Sequence, residues 1–239
     1  MEIILLSLIC ALSTVVGAVI LFFNDKHKTK ILAFSFGLAA SVMFFISVFE
    51  LVGEGISYVY GKLDVFVIFV FGLLFLCLGT CSVRILDGKN SYDNKLYNIG
   101  FLCMLSVLLH NIPEGIITAL SLSSNYDFGI KMFLVILIHN IPEGISIAAP
   151  IYYGCKSKKK ALLMCFISGA GEIVGALLGI LIFRFININF LMFGLLMITS
   201  GIMIYLSLFK LIIEGLKSGD DNYFVTGLLI GLTIVLLTI

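Results

Sequence analysis

Eight stretches of the chain run for some twenty residues almost without charge: about 3–23, 31–52, 65–85, 96–120, 129–152, 161–183, 190–210 and 223–239. A helix rises 1.5 Å per residue, so twenty residues match a bilayer hydrocarbon core of roughly 30 Å. The apolar residues do not alternate with polar ones, as they would in a barrel strand. Apolar residues make up 61% of the chain and charged residues 12%, against roughly 25% charged in a soluble domain. A soluble fold of this length cannot hide so much apolar surface. The sequence therefore predicts an all-α polytopic membrane protein of eight transmembrane helices, with residues 1–239 as a single transmembrane domain. The connections are short, and no linker or low-complexity tail separates them. The first run is too long for a signal-peptide core and only Met1 and Glu2 precede it, so it is expected to remain as the first span.

Lysine and arginine set the orientation. Of the fifteen, twelve fall on one side of an eight-span topology: Lys26, Lys28, Lys30, Arg84, Lys89, Lys95, Lys156, Lys158, Lys159, Lys160, Lys210 and Lys217. Lys62, Lys131 and Arg184 fall on the other. Basic loops mark the cytoplasmic side, which places both termini outside. With a net charge of +1 nothing suggests a nucleic-acid partner. The run "KSKKK" reads as an anchor on anionic lipid.

Polar chemistry is concentrated in a hexapeptide that occurs twice. "HNIPEG" begins at His110 and again at His139, and the two copies hold two of the three histidines and two of the three prolines. At about 100° per residue, His110, Asn111 and Glu114 point to one sector of a helix near 0°, 100° and 40°. His139, Asn140 and Glu143 repeat the pattern. Both copies lie near the centre of their runs, and consecutive spans are antiparallel, so the two sectors can face each other in mid-membrane. A third deep acid, Glu172, sits in "SGAGEIVGALLG" at the middle of the sixth run. Ionisable groups at that depth are costly and normally paired, yet no Lys or Arg lies at the middle of any run. Such acids are either protonated or hold cations. Mixed nitrogen and oxygen donors suit zinc and other first-row divalent ions, and the lack of thiolate or thioether in the motif argues against Cu(I). Pro113 and Pro142 lack an N–H, freeing the carbonyls of Leu109 and Ile138. Gly171, Gly175 and Gly179 form a small-residue stripe that can press Glu172's helix against the motif helices. The bland alternative is that these His and Pro residues only pack and kink helices; two identical copies at matched depth argue against it. Of the six cysteines, Cys10, Cys77, Cys103 and Cys165 read as buried packing residues, although Cys77 and Cys81 lie one turn apart and could hold a soft metal.

The doubled "HNIPEG", with "SFGLAASVMFFISVFELVGEG" in the second run and "SGAGEIVGALLG" in the sixth, resembles the ZIP (Zrt-, Irt-like) family of metal-ion transporters, in particular its short bacterial members. The resemblance implies a 3+2+3 arrangement in which spans 1–3 and 6–8 are inverted repeats flanking spans 4 and 5. It implies a binuclear site: one ion on His110, Glu114, His139 and Glu143, a second on Asn111, Asn140 and Glu172, with Glu114 and Glu143 bridging. It implies a homodimer in the plasma (cell inner) membrane that moves divalent metal into the cytoplasm, Zn2+ foremost and then Fe2+, Mn2+, Co2+ or Cd2+. The metal is cargo and no cofactor is expected. An elevator motion would carry spans 1, 4, 5 and 6 against a scaffold of 2, 3, 7 and 8. One departure is the 3–4 loop, "DGKNSYDNK", which lacks the long His-rich insertion of many members; His27, in a cytoplasmic loop, reads as solvated. Glu50 and Glu54, at the outer end of span 2, are candidates for gathering cations or simply interfacial acids.

Two other functions compete. An intramembrane metal-dependent hydrolase would use the bound metal to activate water, but no HExxH is present and the deep acids are all wanted as ligands. A metal efflux carrier would share the ligands and differ in direction. The orientation has a direct check. In a variant whose only cysteine is Cys155, beside the lysine run, an impermeant thiol reagent added to intact cells is expected to leave the protein unlabelled; labelling from outside would reverse the topology.

Overall fold

A computed structural model of the chain describes residues 2–22, 27–61, 63, 65–89, 95–182 and 188–238. Among these residues there is no strand. The helices are α1 (Glu2–Leu21), α2 (Lys28–Phe45), α3 (Val52–Val59), α4 (Val65–Lys89), α5 (Lys95–Ser124), α6 (Tyr126–Cys155), α7 (Lys158–Ile182), α8 (Ile188–Leu206), α9 (Ile212–Leu216) and α10 (Asp221–Thr238). A π-helical segment, Ile46–Leu51, joins α2 to α3 without a break, and a second, Ser207–Leu211, joins α8 to α9. Among the described residues six helical stretches are long and apolar enough to cross a membrane: Glu2–Leu21, Lys28–Val59, Leu96–Ser124, Tyr126–Cys155, Lys158–Leu181 and Asn189–Leu216; Phe66–Phe75 and Asp221–Leu237 are shorter apolar helices. The apolar runs thus become helices, most of them longer than hydropathy alone suggests because polar ends continue the backbone ladder. Span 2 extends from about 31–52 to Lys28–Val59.

The faces left open are apolar. Leu5, Leu8, Leu12, Val16 and Ile20 of α1 are exposed, as are Leu163, Phe166, Val174, Leu177 and Leu181 of α7. In water such stripes would be an aggregation hazard; in lipid they are the solvent-facing side. Cys77 and Cys81 are both exposed on α4, so the expectation that Cys77 is buried is corrected: it lies on the outward face of an apolar helix. The lysine run is also less of a loop than its sequence suggests. Cys155 ends α6, Lys156 caps it in a left-handed conformation, and Lys158 already begins α7.

Four helices, α1, α5, α6 and α7, are joined by glycines at backbone distance. A methyl group at Gly144 would fall onto the Thr14 carbonyl, and one at Gly17 onto the Ile141 carbonyl, which locks α1 to α6. On the other flank Gly115 faces the Glu172 carbonyl and Gly175 the Ile112 carbonyl, which locks α5 to α7. The expected glycine stripe on the sixth run therefore exists, directed at α5. The remaining helices form a second set. Gly37 of α2 and Gly227 of α10 each meet the other helix's backbone, at the carbonyls of Phe224 and Phe34. Phe71 and Phe75 of α4 stack edge to face against Phe190 of α8, with Phe193 alongside Phe75.

The glycine contacts are testable by size. Gly144→Ala must separate α1 from α6 and is expected to destabilise by about 1–3 kcal/mol, the usual cost of overpacking. Gly53→Ala, where a Cβ meets nothing within 4 Å, is expected to be neutral. Thermal unfolding of the two purified variants in detergent separates them; equal midpoints would remove the close-packed role of Gly144.

Candidate metal centre

The two hexapeptides lie at the centres of α5 and α6, and both helices run unbroken through Pro113 and Pro142. Helical spacing brings His110, Asn111 and Glu114 to one side of α5 and the second triplet to one side of α6. All six side chains, together with Glu172 of α7, are at most 2% exposed. They meet in a crossed pattern. His110 Nε2 lies 3.1 Å from Glu143 Oε1, and His139 Nε2 lies 3.3 Å from Glu114 Oε1. Each imidazole thus pairs with the acid of the opposite helix. The first pair is aligned as a hydrogen bond, with His110 as donor through an Nε2–H; the second has ion-pair distance without hydrogen-bond alignment, leaving His139 Nε2 and both Glu114 oxygens unbonded.

The asparagines tie this centre to the outer pair of helices. Asn111 Nδ2 donates to the Ser168 carbonyl of α7 at 3.0 Å, and Asn140 Nδ2 donates to the Cys10 carbonyl of α1 at 3.2 Å. Asn140 Nδ2 also donates to Glu172 Oε1, which brings the third acid to the motif as expected. Asn111 is not joined to Glu172; its amide goes to α7 backbone instead. Both asparagine Oδ1 atoms, His110 Nδ1, His139 Nδ1 and Glu143 Oε2 have no hydrogen-bond partner. Among the described residues no three His, Cys, Asp or Glu side chains gather closely enough to cage an ion; His110, Glu114, His139 and Glu143 are drawn into the two crossed pairs.

The contacts also reveal what sequence reading missed. Asn140–Cys10 matches Asn111–Ser168, Gly144–Thr14 matches Gly115–Glu172, and Gly17–Ile141 matches Gly175–Ile112. A constant offset of 158 residues relates α1 to α7 in every case, while 29 relates α5 to α6. The signal was present as "GA" at Gly17–Ala18 and Gly175–Ala176, too short to notice alone. The π-helical segments match as well: "SVFELVGEG" from Ser47 and "SLFKLIIEG" from Ser207 share Ser, Phe, Leu, Glu and Gly in register.

Glu50 and Glu54 line a cleft of about 210 Å³ together with Phe49, Gly53, Phe128, Lys131 and Met132. Two carboxylates outnumber one ammonium there, so the cleft favours cations weakly. His27 is exposed, as expected.

The family model described as ZIP Zinc transporter matches residues 84–238. The zinc transporter ZupT of Chlorobaculum parvum is 34% identical over 251 aligned residues, covering 96% of this chain and 93% of that protein. The chain belongs to the ZIP family. Two further zinc transporters named ZupT agree: that of Escherichia coli O7:K1 is 33% identical, with 97% and 93% of the two chains covered, and that of Clostridium perfringens is 31% identical, with 97% and 92% covered. As a ZIP protein the chain is a multi-pass membrane transporter of metal ions, and the hydrolase alternative falls with that assignment.

The crossed pairs generate one expectation. His110→Ala leaves Glu143 buried without its imidazole and removes one nitrogen donor. Zinc affinity is expected to fall by about 10- to 100-fold, the range typical for losing a supporting partner of a metal site, while the protein stays folded in detergent. Isothermal titration of the purified variant checks this; unchanged affinity in both His110→Ala and His139→Ala would remove the imidazoles from the site.

Proposed function

We propose that this ZIP protein carries Zn2+, and with it related divalent ions such as Fe2+, Mn2+, Co2+ and Cd2+, across the plasma membrane into the cytoplasm, on a mid-membrane site built from His110, Asn111, Glu114, His139, Asn140, Glu143 and Glu172. One observation carries the reading: three carboxylates and two imidazoles, each at most 2% exposed, are gathered with no Lys or Arg paired to them among the described residues. An unpartnered buried polar group costs about 1–3 kcal/mol. A divalent cation entering between α5 and α6 would take both imidazoles and both acids at once, replacing two crossed pairs with four metal bonds. A second ion would then rest on Glu172 and the asparagine oxygens, with Glu114 and Glu143 as bridges. With neutral imidazoles the acids supply three negative charges, so one ion leaves a net −1 and two leave +1; neither load strands a large charge in the low-dielectric interior.

The wider architecture follows. Eight spans, with termini outside and a single domain over residues 1–239, agree with the twelve-to-three division of basic residues. The matched contacts of α1 with α6 and α7 with α5 support the 3+2+3 inverted-repeat arrangement. The glycine-locked set α1, α5, α6 and α7 would move as the ion-bearing unit against the other helices. Uptake rather than efflux rests on the family and on the acidic cleft at Glu50 and Glu54, at the outer end of α2–α3. A homodimer, with lipid around it, completes the proposal. The metal is cargo and the protein needs no cofactor.

Glu172 separates one ion from two. Glu172→Ala is expected to keep one tightly bound zinc and lose the second, whereas Glu114→Ala, which removes a bridge, disturbs both. Metal-to-protein stoichiometry on purified variants reads this directly. Two ions retained in Glu172→Ala would show that this acid is not a required ligand.

A further inference from the structure

A cavity of about 370 Å³ opens between α1, α2, α6 and α10, at the end of the bundle where the lysines of the sequence gather. Its walls belong to the two sets of helices: α1 and α6 on one side, α2 and α10 on the other. The lining divides by chemistry. Ile20, Ile31, Phe34 and Ile145 make one part apolar, while His27, Lys30 and Tyr223 make the other polar and basic. Lys30 and Phe34 lie one turn apart on α2, so the basic part is the outer one. No carboxylate lines the cavity, and among the described residues none is paired with Lys30. The Lys30 ammonium lies 5.0 Å from the centre of the Tyr223 ring. Asp220 accepts from the Tyr223 N–H at 3.3 Å, which caps α10, and does not line the cavity. The rim reaches lipid. Ile20 and Tyr223 are exposed, and Ile20 ends the open apolar stripe of α1. A second cation stands close by: Lys158 Nζ lies 5.2 Å from the ring centre of Phe22, the residue after lining Leu21. Lysines and tyrosine at this level are the usual residues of a membrane–water boundary.

We infer that this cavity holds one anionic phospholipid of the lysine-rich, cytoplasmic leaflet. Its phosphate lies at Lys30, Tyr223 and His27, and the upper part of an acyl chain runs along Ile20, Ile31, Phe34 and Ile145. Basic pockets between transmembrane helices on that side recognise anionic head groups, and the volume falls in the range of roughly 300–1,000 Å³ usual for sites that bury a small ligand. Lysine meets a phosphate as a point charge, and the phenol can donate to it. Each methylene seated on the apolar part leaves water or looser lipid for fixed contacts. The lining also sets other occupants aside. A metal ion on its way through the protein finds an ammonium here and no acid. A free phosphate uses the basic part and leaves the apolar part empty. A zwitterionic lipid brings its own cation to a site that already has one. The cavity shares no residue with the metal centre, so this lipid site stands or falls separately from the metal-carrying role.

The test uses the purified full-length chain, without metal, in mixed micelles of a neutral detergent with phosphatidylglycerol or phosphatidylcholine. Native mass spectrometry counts the lipid that stays bound. One phosphatidylglycerol per chain is expected to be retained, and phosphatidylcholine more weakly. Lys30→Gln is expected to weaken retention of phosphatidylglycerol by about fivefold, the contribution of one basic residue at an anionic surface, and Lys30→Arg to restore it. Thr226→Trp adds bulk at an exposed lining position without changing charge, and is expected to weaken retention as well. Lys217→Gln is expected to change nothing, since Lys217 is 57% exposed, pairs with Glu214 and does not line the cavity. Unchanged retention in both Lys30→Gln and Thr226→Trp overturns the inference. So does an equal loss in Lys217→Gln, which would mean that surface charge alone holds the lipid. Equal retention of phosphatidylcholine, or displacement of phosphatidylglycerol by inorganic phosphate at the same concentration, overturns it too.

Discussion

The arrangement depends on one electrostatic constraint. Carboxylates and imidazoles are buried together, and among the described residues no Lys or Arg is paired with them. Each imidazole therefore turns to the acid of the opposite helix, and the crossed pairs His110–Glu143 and His139–Glu114 hold α5 and α6 face to face. Such pairing is weak stabilisation, because desolvating the groups offsets most of the attraction. It is better understood as a poised arrangement: the groups are gathered, half satisfied, and able to exchange one another for a stronger partner. A core of leucine at the same positions would pack more securely and could bind nothing.

Holding such groups in place requires rigidity that their own bonds do not supply. The glycines provide it. Where α1 meets α6 and α7 meets α5, backbone lies against backbone, so rotation of either helix would drive a carbonyl into its neighbour. The asparagines act at the same level, since each donates its amide to a carbonyl of the outer helix one turn from the glycine contact. The hexapeptide thus combines metal-type donors with the means of fixing them: His and Glu face inward, Asn reaches outward to the flanking helix, and Gly lets that helix approach.

This division explains what could be read from the sequence. The apolar runs and the doubled motif identified the helices, the buried faces and all seven polar residues of the centre, because bilayer thickness and helical periodicity leave little freedom. Tertiary pairing was less legible. Nothing in the spacing indicates that His110 faces Glu143 rather than Glu114, since the choice depends on how two helices cross. Asn111 and Asn140 are identical in local sequence, yet only Asn140 reaches Glu172; the difference lies in the flanking helix, where residue 172 is an acid and its counterpart, residue 14, is a threonine. The π-helical segments were likewise hidden, because one extra residue per turn leaves hydropathy unchanged. Cys77 shows the limit of reading burial from an apolar run: in lipid, an apolar position is as easily outside as inside.

The difference between Thr14 and Glu172 has a consequence for how a matched pair of helices can serve transport. Two acids in equivalent positions would give the centre four negative charges and bind divalent ions from both corners, deepening the well in which the cargo sits. A carrier must release what it binds, so excess affinity slows it. With threonine in one corner, that flank offers only neutral oxygen, and Thr14 Oγ1, Ser168 Oγ and Asn111 Oδ1 are all buried without partners. The helical frame is repeated, but its charge is not. Repetition gives two close-packed flanks that hold the polar groups in register, and the single acid breaks the balance between them, so that an ion held as proposed at the imidazoles would have one preferred neighbour rather than two equal ones.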